Sequence, residues 1–579
     1  MAFLRNLLAT LLGLFIFCIF GFFILVGIIG VASSSEGVPD VKSNSVLSIN
    51  LSGVLVERTI DDPLAQALGN GPSQLGIMDA LDAIHAAKED DRIKGIYIEP
   101  MFMQAGQASL LEIRDALIDF KTSGKFIYAY GEYISESDYL VASVADTLLL
   151  NPEGYLEFNG LNISVTFFKG LFDKLDIEPE IFRVGEFKSY VEPFIRKSLS
   201  EENELQLREL LESMQSTYLM NVAENTNSDF STLKNISDKM LAWEPQDAEK
   251  VGLVTRVGYE DEIKSIIRTA IDISSDDDIN FITLKKYAKT LTGEYSSNKI
   301  AVIVADGDIV FGSADDAVGG DQFADEIRKA RESSSVKAIV LRINSPGGSM
   351  TASEQIWREI MLTKGVKPVI ASMSNVAASG GYYIAAPCDT IIAQPNTVTG
   401  SIGIFSILYN FGDFLDNKLG ITNDVVKTGE YSDIFTVTRS LNQQERAIIQ
   451  RRVENGYDTF IGRVAQGRNM SAEDVKKVAG GRVWTGAQAF EFGLVDMLGS
   501  YEDAIELAAI KAGVVDDYRI RFYPEQKEFL EKIMENLEDV SAGEFLGKEN
   551  ILTPYLKKIE SLERMQGLQA RMPGDLTVQ

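Results

Sequence analysis

The sequence predicts two tandem α/β domains, with strands alternating with helices on mostly parallel sheets. Three observations carry this. The chain repeats itself at a near-constant offset over about two hundred residues. Each copy runs from a strand ending at a glycine turn, through a helical stretch, to further strands. With 579 residues, 45% of them hydrophobic and 24% charged, the composition is that of a folded protein with room for about three or four domains.

The first element precedes the repeat. Residues 7–32 are almost wholly apolar, with no charge between Arg5 and Glu36. As a helix, those 26 residues would rise roughly 39 Å, enough to cross a bilayer with tilt. A cleaved signal peptide is the rival reading, because Ser33-Ser34-Ser35 offers small residues. Signal h-regions are about 7–15 residues long, so an uncleaved anchor is expected. Arg5 and residues 1–6 then stay cytoplasmic, and the bulk lies on the other side.

The two copies follow. Residues 46–54 open the first and residues 300–309 the second. The next strands are residues 93–98 and 336–341, then residues 126–130 and 368–372. Both copies run on to a Tyr-x6-Asp-Thr pattern, Tyr139 to Asp146-Thr147 and Tyr382 to Asp389-Thr390, offset by 243 residues. Gly185-Glu186-Phe187 and Gly429-Glu430-Tyr431 follow at an offset of 244, and Trp243 and Trp484 at 241. The expected domains are 45–270 and 299–512. An acidic linker at 271–298 lies between them, and an extension at 513–579 leaves the repeat. Residues 529–537 and 556–565 in that extension have the spacing of amphipathic helices.

Composition removes several functions. A formal charge of −29 argues against nucleic acid as a partner. The single histidine, His85, has the spacing of a helix-surface residue, which leaves no serine–histidine triad and no histidine-based metal site. Cys18 falls in the apolar segment, so a disulfide with Cys388 is not expected, and Cys388 reads as a small buried residue. No cofactor and no metal are expected.

The chemistry sits where the copies differ. Ser379, in Ala377-Ala378-Ser379-Gly380-Gly381, follows a strand and opens an apolar helical run. Opposite it the first copy has Glu136. The second copy has a glycine loop, Asn344-Ser345-Pro346-Gly347-Gly348, and the first has no Gly-Gly there. Opposite Lys188 the second copy has Ser432. Each half thus holds a part that the other lacks, as a site built across two domains would require. A serine needs a base to become a nucleophile, and without a usable histidine that base is a carboxylate or an amine. Burial would lower a lysine pKa toward neutrality, and Lys188 lies among apolar residues. Glu186 and Glu192 stand near it in sequence and would raise its pKa if paired with it. The backbone N–H groups of Gly347, Gly348 and Gly380 are candidates for an oxyanion hole. Ser401, in Thr399-Gly400-Ser401-Ile402-Gly403, could orient a lysine amine. Taken singly, each feature also has a plain reading: a helix cap, a tight turn, a loop hydroxyl or a surface lysine.

Together, Asn344-Ser345-Pro346-Gly347-Gly348, Ala377 to Tyr383, Thr399 to Gly403 and Lys188-Ser189 with Glu192-Pro193-Phe194 resemble the signal peptide peptidase A (protease IV) family in its tandem-domain form. The resemblance covers residues 1 to about 510. It implies Clp-protease/crotonase-like domains and a membrane-anchored serine endopeptidase with its catalytic domains outside the cytoplasmic membrane of a bacterium. It also implies a homotetramer that digests signal peptides released after signal-peptidase cleavage. Ser379 is then the nucleophile, Lys188 the general base and Ser401 its support. Tyr190 stands where a smaller residue is expected. Two rival readings are a scaffold protein with a degenerate site and an acyl-CoA hydratase or isomerase, since crotonases share the fold.

Overall fold

Strand polarity and helix spacing organise the described residues into three sheets. The structure is a computed structural model that describes residues 5–7, 9–17, 20–21, 39–59, 74–291, 295–314, 317–515, 517–524 and 567–572. Most of the expected anchor at 7–32 and both expected helices at 529–537 and 556–565 lie outside them. Among the described residues, no helix is long and apolar enough to cross a membrane.

The first sheet is parallel throughout and runs in the order Gln74–Gly76, Ser45–Val56, Ile93–Gln104, Phe126–Ile134, Thr147–Leu156, Arg256–Val257. Helices cover the sheet, so adjacent residues that point to opposite faces, such as Val46 and Leu47, are both buried. Helix Ile77–Glu89, for example, buries Ile77, Met78, Leu81 and Ile84 along one face. Each such side chain contributes roughly 1.5–3 kcal/mol by leaving water. The second sheet repeats this plan with Lys299–Asp306, Val336–Ser345, Val369–Ala378 and Thr390–Ala393.

The shared sequence patterns mark equivalent hydrogen bonds. Tyr139 Oη donates to the Leu253 carbonyl at 2.6 Å, and Tyr382 Oη donates to the Leu494 carbonyl at 2.8 Å. Asp146 accepts from the Ile127 N–H at 2.8 Å, and Asp389 accepts from the Val369 N–H at 2.9 Å. The likeness also runs further than the sequence indicates. Asn280–Thr283, within the expected linker, pairs parallel with Ser45–Val56. Arg519–Tyr523, within the expected extension, pairs in the same way with Lys299–Asp306. Each copy therefore closes on its own first strand. These closing strands share only a backbone role, which leaves no residue pattern to read.

The third sheet joins the halves. Its order is Val318–Gly319, Ile309–Val310, Gly347–Ser349, Gln569–Arg571, Phe405–Asn410, Glu178–Arg183. The last strand comes from the first copy and pairs antiparallel with Phe405–Asn410 from Arg183 opposite Phe405 to Glu178 opposite Asn410. A fully buried ion cluster ties the halves elsewhere. Arg342 Nε donates to Glu57 at 2.7 Å, and its Nη1 donates to Glu112 at 2.9 Å and to Ser372 at 3.0 Å.

Candidate active site

Lys188 follows directly from the joining strand. Gly185, at φ +103°, lies so close to Gly480 that a Cβ there would sit 2.3 Å from the Gly480 carbonyl oxygen. The next turn is held by the Phe187 N–H donating to that same oxygen at 3.0 Å. Gln206, on helix Glu201–Asn225, donates to the Phe187 carbonyl at 3.1 Å and to Ser189 Oγ at 2.8 Å. These contacts aim the Lys188 side chain into the second half.

Ser379 closes the strand Val369–Ala378 and precedes the short helix Gly380–Ala385. Its backbone sits at φ 54°, ψ −111°, a sharp and costly corner for a residue with a Cβ. The corner is held by the Ser379 N–H donating to the Gly400 carbonyl at 2.8 Å. Ser401 is also at positive φ, 50°, and its N–H donates to the Arg482 carbonyl at 2.7 Å.

The two corners face Lys188. Its Nζ lies 2.9 Å from Ser379 Oγ, 3.0 Å from the Ser401 carbonyl oxygen and 3.1 Å from Ser401 Oγ. All three residues are fully buried. Burial holds the Lys188 pKa well below the ordinary 10.5. Neither nearby glutamate pairs with the amine. Glu186 is exposed, and Glu192 accepts from the Ser200 N–H and Asn203 Nδ2, both at 3.1 Å. Tyr190 is accommodated by stacking on Phe405, with ring centroids 5.1 Å apart.

The glycine loop passes close to the Ser379 corner. Gly347 and Gly348 lie at φ 99° and 154°. A Cβ on Gly347 would fall 2.5 Å from the Gly380 nitrogen. The Gly347 N–H itself donates to Ser345 Oγ at 3.2 Å, so Gly348 and Gly380 are the donors left to face a substrate oxygen.

The remaining candidates lie apart from this cluster. Ser432, opposite Lys188 in the repeat, is exposed and donates to the Gly429 carbonyl. Glu136, opposite Ser379, is buried and accepts from the Asn159 and Gly160 N–H groups at 3.1 and 2.9 Å. Asp138 accepts from the Phe102 and Met103 N–H groups at 2.9 and 3.2 Å. Carboxylates thus take up backbone donors of the first copy, a role that inspection of the sequence missed although both residues are visible in it. His85 pairs with Glu502 at 2.5 Å. Cys388 is buried, and burial pushes its thiol up to about 12, which leaves it inert.

Fold and family together define a serine peptidase. The model of peptidase family S49 matches the chain twice, at residues 119–274 and 362–515, so the first match contains Lys188 and the second contains Ser379 and Ser401. The chain belongs to that family. It is 35% identical to Protease 4 of Haemophilus influenzae, covering 84% of this chain and 82% of the relative. It is 31% identical to the chloroplastic serine protease SPPA of Arabidopsis thaliana, covering 92% and 78%. A putative signal peptide peptidase SppA of Enterococcus faecium is 40% identical over 32% of this chain and 54% of the relative.

Proposed function

We propose that the chain is an endopeptidase in which Ser379 is the nucleophile and Lys188 the general base. The observation that carries this reading is the 2.9 Å approach of Lys188 Nζ to Ser379 Oγ in a buried site where, among the described residues, no carboxylate pairs with the amine. In its neutral form the amine accepts the hydroxyl proton as Oγ attacks the peptide carbonyl carbon. The oxyanion that forms is met by the Gly348 and Gly380 N–H groups. Lys188 then returns the proton to the leaving amine, the C–N bond breaks, and an acyl-enzyme remains for water to hydrolyse. Ser401 accepts from the ammonium through its carbonyl and hydroxyl oxygens, which orients it.

The substrates we infer are apolar peptides, signal peptides released after signal-peptidase cleavage among them. Support comes from the Enterococcus relative, named a putative signal peptide peptidase, and from the apolar run at 7–32, which would hold the enzyme at a bacterial cytoplasmic membrane with its site on the outer side. A Clp-protease/crotonase-like plan for both domains and assembly as a homotetramer belong to the same reading.

The test is cleavage of casein or a fluorogenic peptide by detergent-solubilised protein. Wild type is expected to cleave, and Ser379→Ala and Lys188→Ala are expected not to. Cleavage at the wild-type rate by both variants overturns the dyad.

A further inference from the structure

The two copies begin equivalent helices in different ways. Helix Met350–Thr363 of the second copy is capped by its own Ser349, whose Oγ accepts from the Ala352 N–H at 3.4 Å. At the repeat offset of 243, the first copy has Gly106 opposite Ser349 and Ser109 opposite Ala352. Gly106 carries no side chain, so helix Gln107–Lys121 has no cap of its own. The acceptor comes instead from the other half. Asn375 Oδ1 accepts from the Ser109 N–H at 3.0 Å, and Asn375 Nδ2 donates back to Ser109 Oγ at 2.7 Å. A Cβ on Gly106 would fall 2.2 Å from Asn375 Cγ, so the bare backbone is what admits the amide. The first copy has Glu132 where the second has Asn375, so the arrangement is not part of the repeat.

This joint lies between the two members of the dyad. Asn375 stands on the strand Val369–Ala378, which delivers Ser379. The helix it caps is fixed to the helix that holds Lys188. Arg114, buried on Gln107–Lys121, donates to the Asn221 carbonyl of helix Glu201–Asn225 at 3.1 Å. Asn396 Nδ2 donates to Gln107 Oε1 at 2.8 Å and to the Met214 carbonyl of that second helix at 3.4 Å. Gln206, on the same helix, holds Phe187 and Ser189 on either side of Lys188. Hydrogen-bonded elements therefore run without a break from the serine strand to the lysine turn. Ser374 runs beside the joint, its Oγ 3.3 Å from Ser109 Oγ and donating to Glu57.

We propose that Asn375 is a positioning residue for the peptidase reaction: by capping helix Gln107–Lys121 across the halves, its amide sets the approach of Lys188 Nζ to Ser379 Oγ. The inference rests on the Ser379–Lys188 reading above. Without the amide the Ser109 N–H is buried and unpaired, and the helix end must shift to find another acceptor. Lys188 moves with it, and direct proton transfer over 2.9 Å tolerates little displacement. A loosened joint also admits water to the amine, which relieves the burial that lowers its pKa. Asn375 makes its bonds to the first copy and not to the dyad itself, so the loss falls on kcat and on the pH profile.

The test is steady-state cleavage of a fluorogenic peptide by the full chain in detergent, measured across pH, with urea midpoints on the same samples. Asn375→Ala is expected to lower kcat by about 10- to 100-fold, with KM near wild type and the acid limb of the profile moved to higher pH. Asn375→Asp keeps an oxygen for the Ser109 N–H at a helix end that favours negative charge, and is expected to restore kcat to within about threefold of wild type and to return the acid limb. Gly106→Ala pushes the amide away and is expected to reproduce Asn375→Ala, which supplies the same measurement should Asn375→Ala not fold. A wild-type kcat and acid limb in Asn375→Ala overturn the inference even if the urea midpoint falls, because the amide is then a structural tie alone. A kcat for Asn375→Asp no better than that of Asn375→Ala also overturns it. Both results leave the peptidase reading standing, whereas a wild type that cleaves nothing overturns that reading and this one with it.

Discussion

Lys188 Nζ and Ser379 Oγ meet at 2.9 Å although 191 positions of chain separate them and each belongs to a different copy of the repeat. A proton can pass directly between them. Removing either is expected to lower kcat/KM by roughly 10^4-fold or more, and removing both by no more than removing one, because they act as a unit. Ser401→Ala leaves the Ser401 carbonyl in place and is expected to cost much less, about 10-fold. Steady-state kinetics on the four variants checks this.

The pH profile follows from the burial of Lys188. Its folded-state pKa is depressed, and in the proposed dyad the neutral amine is the active form. Activity is therefore expected above that pKa and is lost as pH falls through it. Stability carries the same sign. Between the depressed pKa and the unfolded value near 10.5, the unfolded chain binds more protons, so stability rises with pH across that window. Lys188→Met is expected to be inactive yet more stable at neutral pH, by about 0.5–2 kcal/mol. Urea midpoints at several pH values measure it.

Glu136 behaves oppositely. Burial pushes its carboxyl up to about 7, above the usual carboxylate range. The folded state then binds more protons than the unfolded chain between about pH 4.5 and 7, and this group's contribution to stability falls as pH rises through that window. Glu136→Gln retains an oxygen to accept from Asn159 and Gly160. It is expected to flatten that part of the stability profile and to leave peptide cleavage unchanged. A loss of cleavage would assign Glu136 itself a part in catalysis that its geometry does not suggest.

Arg342 joins the halves from within the core. Arg342→Met leaves Glu57 and Glu112 buried without their cation, a change that costs about 3–5 kcal/mol. The expected readout is a lower urea midpoint together with lost cleavage, since the dyad needs both halves in place. Adding Glu112→Gln to that variant is expected to restore part of the midpoint.

Gly348→Ala tests the loop. A Cβ there would fall 2.0 Å from the Ile309 carbonyl oxygen, and backbone cannot move aside cheaply. The loop strand would shift and its N–H would leave the cleft. A fall in kcat of roughly 10^2–10^3-fold is expected, the scale of losing one oxyanion donor. Circular dichroism confirms that the fold survives.

Much of this was legible in the residues. Tyr139 and Tyr382, with Asp146 and Asp389, advertised the repeat because each side chain makes the same backbone bond in its own copy, and such bonds tolerate few substitutes. The disagreement between Ser379 and Glu136, and between Lys188 and Ser432, marked a divided site. The closing strands Asn280–Thr283 and Arg519–Tyr523 were not legible, because a strand held by backbone pairing imposes no particular side chain. Nor was the capture of backbone N–H groups by Glu136 and Asp138, since a carboxylate that accepts from backbone looks like any other in one dimension.

The sequence by itself determined the α/β class, the duplication, the absence of a histidine base and the identity of the hydroxyl and amine to be tested. Composition, local pattern and its recurrence along the chain carry those properties, and none of them depends on how segments pack. Only the tertiary structure decided that the amine reaches the hydroxyl, that neither Glu186 nor Glu192 intercepts it, and that Gln569–Arg571 pairs with the glycine loop. Those outcomes depend on distance and burial between segments far apart in the chain, set by packing the two halves around one shared sheet.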